Sequence, residues 1–575
     1  MLSRFWIPLA ALALGACATS PTSVAPSAVG SPPPLAPGVV SAADPRAAEA
    51  GADMLRKGGS ATDAALATLL ALTVVEPQSS GIGGGGFLVH SDRGGQVDTF
   101  DGREEAPMAA TPTWFYVDGK PLPIDEAIPG GRSVGVPGNV RMMALAHAKH
   151  GKLPWKALFG PAIRLARDGF ILSPRGHGML AGHPETGAMS ALARALYYQP
   201  DGTPKPAGTR IVNPALADFL EQLAERGPDI FYVGPNARAI AAAVNGAPRN
   251  PAPMAIGDLA AYEAKQRPPV CGIYRAYRIC GMGPPSSGAT TVFAILKQLE
   301  RFDLKALGKD NPVAWHLIVE SMRLAYADRD QYLADADHVP VPVAGLVDPQ
   351  YLAQRSALIS ADRTMASVAA GTPAGAPRLA PAPQQIERGT SHFVATDTWG
   401  DVASLTSTIE SVFGSGLMVN GYYLNNELTD FNIVPDLDGV PTANRVEGGK
   451  RPRSSMSPTI VLSPDGKIRL AVGAAGGATI IAQVAKTIIG VIDWDLRAQD
   501  AIALPVIFAP GGDVVFVEKG TSHEAMVPAL TALGHADIRI RAPGFKANAV
   551  EWIGGANGRW VGAADPRSEG AAVQQ

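Results

Sequence analysis

The sequence predicts a layered α+β body in which helices flank stacked antiparallel strands. Three observations lead there. Helical periodicity marks residues 44–77 and 311–335, paired strand-like runs set in beyond residue 390, and strands and helices do not alternate as they would in βαβ units. No internal repeat at a fixed period points to a solenoid.

The elements follow in chain order. "MLSRFWIPLAALALGAC" combines basic Arg4, an apolar stretch too short to span a bilayer and small residues before Cys17, the pattern of an export signal. Its end, "LGAC", has the form of a bacterial lipobox, which makes Cys17 the lipidated start of a periplasmic mature chain; ordinary cleavage after Ala18 is the alternative. Residues 18–37, rich in Pro, Ser and Ala, suit a flexible tether. "DPRAAEAGADMLRKGG" and "SATDAALATLLALTVVEP" read as two helices, the second opened by Ser60. "SGIGGGGFLVHS" passes from a glycine turn into a strand; no Lys-Ser/Thr follows, so close backbone packing is expected there and not phosphate binding.

Cys271 and Cys280 flank "GIYRAYRI", and a two-residue turn at Arg275-Ala276 sets them opposite each other as a close pair. That register admits a disulfide in an exported chain or two buried thiols. "NPVAWHLIVESMRLAYADRDQYLAD" has Asn311 as a cap, Pro312 at the first helical position and one apolar stripe through Trp315, Ile318, Val319, Met322 and Tyr326. Past residue 390, "HFVATD" with "DVASLTSTI" and "SPTIVLSPDGKIRLAVG" read as hairpins, "ATIIAQVAKTIIGVIDW" as an apolar helix, and residues 512–541 as further strands.

Composition bounds the rest. The 575 residues are 46% hydrophobic and 18% charged, with 63 Gly and 50 Pro, enough for a large core broken by many turns. A net charge of -3 without a basic, aromatic-laced run argues against nucleic acid. His and Cys show no ligand spacing, so no metal or other cofactor is expected. No other segment has eighteen uninterrupted apolar residues, so membrane contact is expected only through the N-terminal lipid anchor.

The Pro/Ala-rich tract "GTPAGAPRLAPAP" runs almost to Gly389-Thr390, where a strand-like run begins at once. A linker has to end somewhere, and Thr suits a strand. The alternative is a cut, which makes Thr390 a new N-terminus carrying both a hydroxyl nucleophile and an α-amino base.

The polar motifs are individually weak, because each fits a strand start, a turn or a solvated loop. Together, "DGREEAP" at 101, "GTSHF" at 389, "TSTIE" at 406, "LNNELTDF" at 424, "KRPRSSMSPT" at 450 and "GAAGGAT" at 473 resemble the γ-glutamyltransferase family. So do "GIGGGGF", "GPAIRLARDGF", "PPSSGAT", "AYADRDQYL" and "GAADPRS", over roughly residues 38 to 570.

The resemblance implies an N-terminal-nucleophile hydrolase with a four-layer αββα sandwich, cut by itself into a large subunit, 38–389, and a small catalytic one, 390–575. It implies Thr390 as nucleophile, Thr408 beside it, and the N–H groups of Gly476 and Gly477 as the oxyanion hole. Arg103 with Ser454 and Ser455 would take the α-carboxylate of a γ-glutamyl donor such as glutathione, and Glu427 with Asp430 its α-ammonium. Two departures bear on specificity. Glu410 stands where many members have Asn, adding a third acid to the ammonium pocket or pointing elsewhere. The loop 431–449 is short and has no Tyr, so the expected site is open where lidded members cover theirs. Two alternatives share the scaffold: a glutaryl-type (cephalosporin) acylase, and an uncut surface protein that only binds γ-glutamyl compounds.

Overall fold

Asp44 and Ser60 accept from the backbone amides of Arg46 and Asp63, and so start the two N-terminal helices where the sequence predicts them. The computed structural model of the chain describes Trp6 and residues 35–382, 389–542, 544 and 546–575. The expected export signal with Cys17, and residues 18–34 of the expected tether, lie outside the described residues. Among those described, no helix is long and apolar enough to cross a membrane.

In chain order the central elements are β1 (Val39–Ala42), α1 (Pro45–Arg56), α2 (Ala61–Val75), β2 (Gly85–Ser91), β3 (Val97–Gly102), β4 (Lys265–Arg267), β5 (Val270–Tyr274), β6 (Tyr277–Gly281), α3 (Gly288–Leu299) and α4 (Pro312–Tyr332). Beyond residue 389 come β7 (Ser391–Thr396), β8 (Val402–Thr408), β9 (Thr459–Leu462), β10 (Ile468–Ala475), α5 (Thr479–Ile492), β11 (Ile507–Phe508), β12 (Val514–Glu518), β13 (Asp537–Arg541), β14 (Lys546–Ile553), β15 (Arg559–Ala564) and β16 (Ala571–Gln574).

Two antiparallel sheets dominate. The first has the order β16-β1-β7-β8-β2-β3-β4 and the second β15-β14-β10-β9-β6-β5. Strand alternation divides the side chains between two cores. Phe393 and Ala395 of β7 join α1 and α2, whereas Val394 turns to the second sheet and to α3, α4 and α5. Both faces of β7 are buried, so its polar side chains need partners there, and His392 Nδ1 is hydrogen-bonded to Thr406 Oγ1 at 2.8 Å.

The disulfide of the two alternatives is the one present: Cys271 and Cys280 are paired across β5 and β6 with Cα atoms 4.2 Å apart. Arg275 and Ala276, with φ of +49° and +70°, form the two-residue turn. Two features go beyond the expectations. α4 buries the whole of its expected stripe, and His316, Glu320 and Arg323 on its other faces are buried as well. The Arg323 guanidinium is satisfied by Glu320 at 2.7 Å, Asp513 at 2.7 Å and the Gly512 carbonyl at 2.6 Å, which lets the helix be enclosed on all sides. The strands expected in 512–541 are present as β12 and β13, which run parallel and are joined by short helices at Ser522–Ala525 and Val527–Ala532.

Candidate active site

Thr390 immediately precedes β7, and the register Ser391↔Ser407 sets the next pair, Thr390 and Thr408, opposite each other. Their hydroxyls share a hydrogen bond of 3.1 Å. Thr408 Oγ1 also accepts from the Glu410 amide at 2.8 Å, which fixes its orientation. On the other side of β8, a Cβ at Gly84 would lie 1.9 Å from the Thr408 carbonyl oxygen, so the glycine run serves close packing beneath the second threonine. Thr390 itself is buried, and its φ of +123° lies in a region that a β-branched residue rarely adopts. Gly389 is required for space: a Cβ there would meet the Glu410 carbonyl oxygen at 1.9 Å.

The amide of Thr390, which a cut at 389–390 would turn into an α-amine, donates to the Ser79 carbonyl at 3.1 Å. That carbonyl also accepts from the Ile409 amide at 3.2 Å. Behind it, Lys546 Nζ donates to Glu76 Oε2 at 2.9 Å and to the Ser79 and Ser391 hydroxyls at 3.2 Å each. Burial lowers the Lys546 pKa to about 8 in spite of Glu76. Burial alone would raise the Glu76 value, but Lys546 and Arg175 outweigh it and hold the carboxyl below its ordinary range. None of Ser79, Glu76 or Lys546 is conspicuous in sequence; only the fold brings them to Thr390.

Arg103, Glu427, Asp430 and Glu410 form one buried cluster. The Arg103 guanidinium donates to Glu427 through Nη1, to Asp430 through Nη2, and to the carbonyls of Pro452 at 3.1 Å and Arg453 at 3.0 Å. Glu104, which sequence reasoning missed although it sits inside "DGREEAP", adds a fourth carboxyl 3.8 Å from Arg103. Glu410 turns inward: its Oε2 accepts from Asn426 Nδ2 and from Ser411 Oγ at 2.5 Å.

With one guanidinium for four buried carboxyls, the cluster holds protons. Burial, and then Asp430, pushes Glu410 up to about 8. Burial pushes Glu104 up to about 7 against the pull of Arg103, and Glu427 well above the carboxylate range.

A stability prediction follows from Glu410. Below its unfolded value of 4.5 both states carry the proton; between there and about 8 only the folded chain keeps it, so its contribution to stability falls as pH rises through that window. In a Thr390→Ala background, Glu410→Gln should raise the thermal midpoint progressively from pH 5 to pH 8. Scanning calorimetry at three pH values checks this, and a pH-independent difference would contradict it.

The serines serve other contacts in this structure. Ser455 Oγ accepts from Arg329 Nη2 at 2.7 Å, and Ser454 Oγ from the Met456 amide at 3.2 Å. Gly476 and Gly477, with φ of +121° and +58°, make the turn from β10 into α5. The open site expected from the short loop 431–449 is not what the continuous chain has. Arg103, Thr390, Glu410, Glu427, Asp430, Ser454 and Ser455 are all buried, and the loop itself folds back as a hairpin (Asp436–Leu437 with Val440–Pro441) and pairs Thr442 with Ala380.

Folding also assembles two histidine groups that no spacing announces. His90 and His150 stack face to face beside Asp98, so their ring lone pairs run parallel and do not converge. His316 and His535, beside Glu320, hydrogen-bond each other at 2.8 Å.

Comparison with known proteins agrees with this arrangement. The family model described as Gamma-glutamyltranspeptidase matches residues 47–575. The glutathione hydrolase proenzyme of Bacillus subtilis (strain 168) is 36% identical over 93% of this chain and 91% of that protein. The acylase ACY 1 proenzyme of Pseudomonas sp. (strain SE83) is 33% identical over 93% of each. Among solved structures, cephalosporin acylase from Bacillus halodurans superposes with a TM-score of 0.83 at 25% identity, over 97% of this chain and 99% of that one. The α+β body, the paired threonines and these matches place the chain in the gamma-glutamyltranspeptidase family.

Proposed function

We propose that the chain is an exported γ-glutamyltransferase and glutathione hydrolase that cuts itself between Gly389 and Thr390. One observation carries the substrate reading: a buried guanidinium faces an excess of buried carboxyls close to the threonine pair. A γ-glutamyl head brings a carboxylate and an ammonium, so it can exchange into the Arg103 ion pairs, its carboxylate onto Arg103 and its ammonium onto Glu427 and Asp430. A glutaryl group supplies the carboxylate alone and would leave those acids without a cation. The likeness to acylases in sequence and fold makes glutaryl-type substrates the second reading, and this charge balance argues against it.

In maturation, Thr390 Oγ attacks the Gly389 carbonyl carbon and its proton passes to the nitrogen as the C–N bond breaks, so that the amide becomes an ester and the Thr390 amine is freed; water then hydrolyses the ester to the Gly389 carboxylate and the Thr390 hydroxyl. The strained Thr390 backbone favours this step, because cleavage removes the carbonyl carbon that defines its φ; such strain is worth about 1–3 kcal/mol. The products are a large subunit, 38–389, and a small one, 390–575, sharing a four-layer αββα sandwich. In turnover the α-amine, oriented by the Ser79 carbonyl, takes the Thr390 hydroxyl proton as Oγ attacks the γ-carbonyl carbon. An α-amine ordinarily has a pKa of about 8, so a fraction of it is neutral near pH 7. The Gly476 and Gly477 amides receive the oxyanion, the donor's own amine leaves with the proton returned by the Thr390 α-ammonium, and water or a second amine releases the acyl group. Thr408 holds the nucleophile. Ser454 and Ser455 would have to release their present partners to reach the substrate carboxylate. No metal or cofactor enters this scheme. The signal and Cys17 support a periplasmic, lipid-anchored location.

The test is donor discrimination. Glu410→Asn should fold well, since φ at 410 is +72° and Asn tolerates that region better than Glu. It should lower the kcat/KM ratio of γ-glutamyl to glutaryl anilide severalfold, because a carboxyl beside the ammonium is lost. An unchanged ratio would remove Glu410 from the pocket. A wild type that prefers glutaryl donors would favour the acylase.

A further inference from the structure

Beside Gly476 and Thr479 a cavity of about 890 Å³ opens between α4 and the β11–β13 sheet. Its wall is an aromatic ladder. Tyr326 donates to the carbonyl of Ala478, directly after Gly477, at 2.5 Å. The Phe508 ring meets Tyr326 edge-on at 5.4 Å, and Phe516 stacks on Phe508 at 5.9 Å. Arg541 closes the ladder, its guanidinium 4.3 Å from the centre of the Phe516 ring. Arg541 is exposed and makes no ion pair among the described residues, whereas its neighbour Arg539 is held by Asp537 at 2.7 Å. The ladder thus runs from the glycine turn to a cation at the mouth.

We propose that this cavity receives the leaving amine and that the enzyme is built for γ-glutamyl amides of bulky aromatic amines carrying an anionic group at the far end. The inference rests on the functional reading above, since it takes the Gly476–Gly477 turn as the place where the scissile carbonyl lies. Three features support it. The volume is in the range of pockets for drug-sized ligands and is far more than a dipeptide such as the cysteinylglycine of glutathione would fill. The lining is largely apolar, with Val506, Val514 and the two Phe rings, and such a surface gains by burying flat rings. A guanidinium stacked on Phe516 is oriented for a carboxylate or sulfonate on the ligand's outer edge.

Three donors and three variants test it: γ-glutamyl-4-nitroanilide, its 3-carboxy derivative and glutathione, with Arg541→Gln, Phe516→Ala and Val514→Trp. Ratios taken within each variant cancel the differing reactivity of the amines. Arg541→Gln should lower kcat/KM for the carboxylated relative to the plain anilide about three- to tenfold. Phe516→Ala should lower both anilides about tenfold while glutathione stays within about twofold. Val514→Trp, which fills the cavity and removes no contact from the ladder, should exclude the anilides selectively even if Phe516→Ala folds poorly. Anilide-to-glutathione ratios that stay at the wild-type value in Val514→Trp would overturn the cavity assignment, and an unchanged carboxylate preference in Arg541→Gln would overturn the anionic group. A wild type that turns over no γ-glutamyl donor would instead overturn the functional reading and this inference with it.

Discussion

Thr390→Ala should yield a single uncut polypeptide where the parent protein gives two, and turnover should fall by at least about 10⁴-fold. The reason is that one oxygen serves two acyl transfers. In the proposed scheme it attacks the Gly389 carbonyl in the precursor and the donor in the mature protein. Alanine removes both while leaving the backbone hydrogen bond to Ser79 and the buried setting unchanged. Thr390→Ser keeps the oxygen but loses the methyl group that limits its rotamers, so it should mature and turn over more slowly. A denaturing gel with N-terminal sequencing reads the first effect and an anilide assay the second. An Ala variant that still acquires an N-terminus at 390 would falsify the assignment of the nucleophile.

Arg103→Gln should be the most damaging change away from the threonines. It takes the one guanidinium out of a cluster with Glu104, Glu410, Glu427 and Asp430, all buried. Removing one partner from a buried ion pair typically costs about 3–5 kcal/mol, because the other charge is left without compensation. Protonation of the acids softens that penalty, so the loss in thermal midpoint should be smaller at pH 5 than at pH 8. Arg103→Lys restores a positive charge but not the planar fork, and should recover stability more than γ-glutamyl turnover. Calorimetry and kcat/KM measured on the same preparations separate the two effects. Equal thermal midpoints for Gln and wild type at pH 8 would show that the cluster does not depend on this cation.

The local chemistry of the fold could be read from the residues that carry it. Ser60, Asn311 and the Arg275-Ala276 turn act within a few positions of themselves, and Thr390 and Thr408 lie on one hairpin whose alternation is plain. Contacts that need distant chain segments could not be read this way. Lys546 meets Glu76 across 470 positions, and nothing in either neighbourhood marks it. Glu104 sits inside a motif already singled out, yet its raised pKa comes from burial, which no spacing encodes. The buried state of the site was also missed, because burial is set by distant segments of which the short loop 431–449 says nothing.

The strand order of the first sheet has a consequence for the mature protein. β1 comes from the N-terminal part of the chain but lies between β16 and β7, both from beyond residue 389, and β2 likewise borders β8. In the second sheet β6 is bonded to β9 across the same divide. A cut at Gly389 therefore yields two chains laced through common ladders, with the last strand of one clasping the first strand of the other. Such a pair cannot come apart on dilution without unravelling both sheets. Isotope-labelled and unlabelled molecules mixed after maturation should accordingly never trade halves, although each is formally a heterodimer.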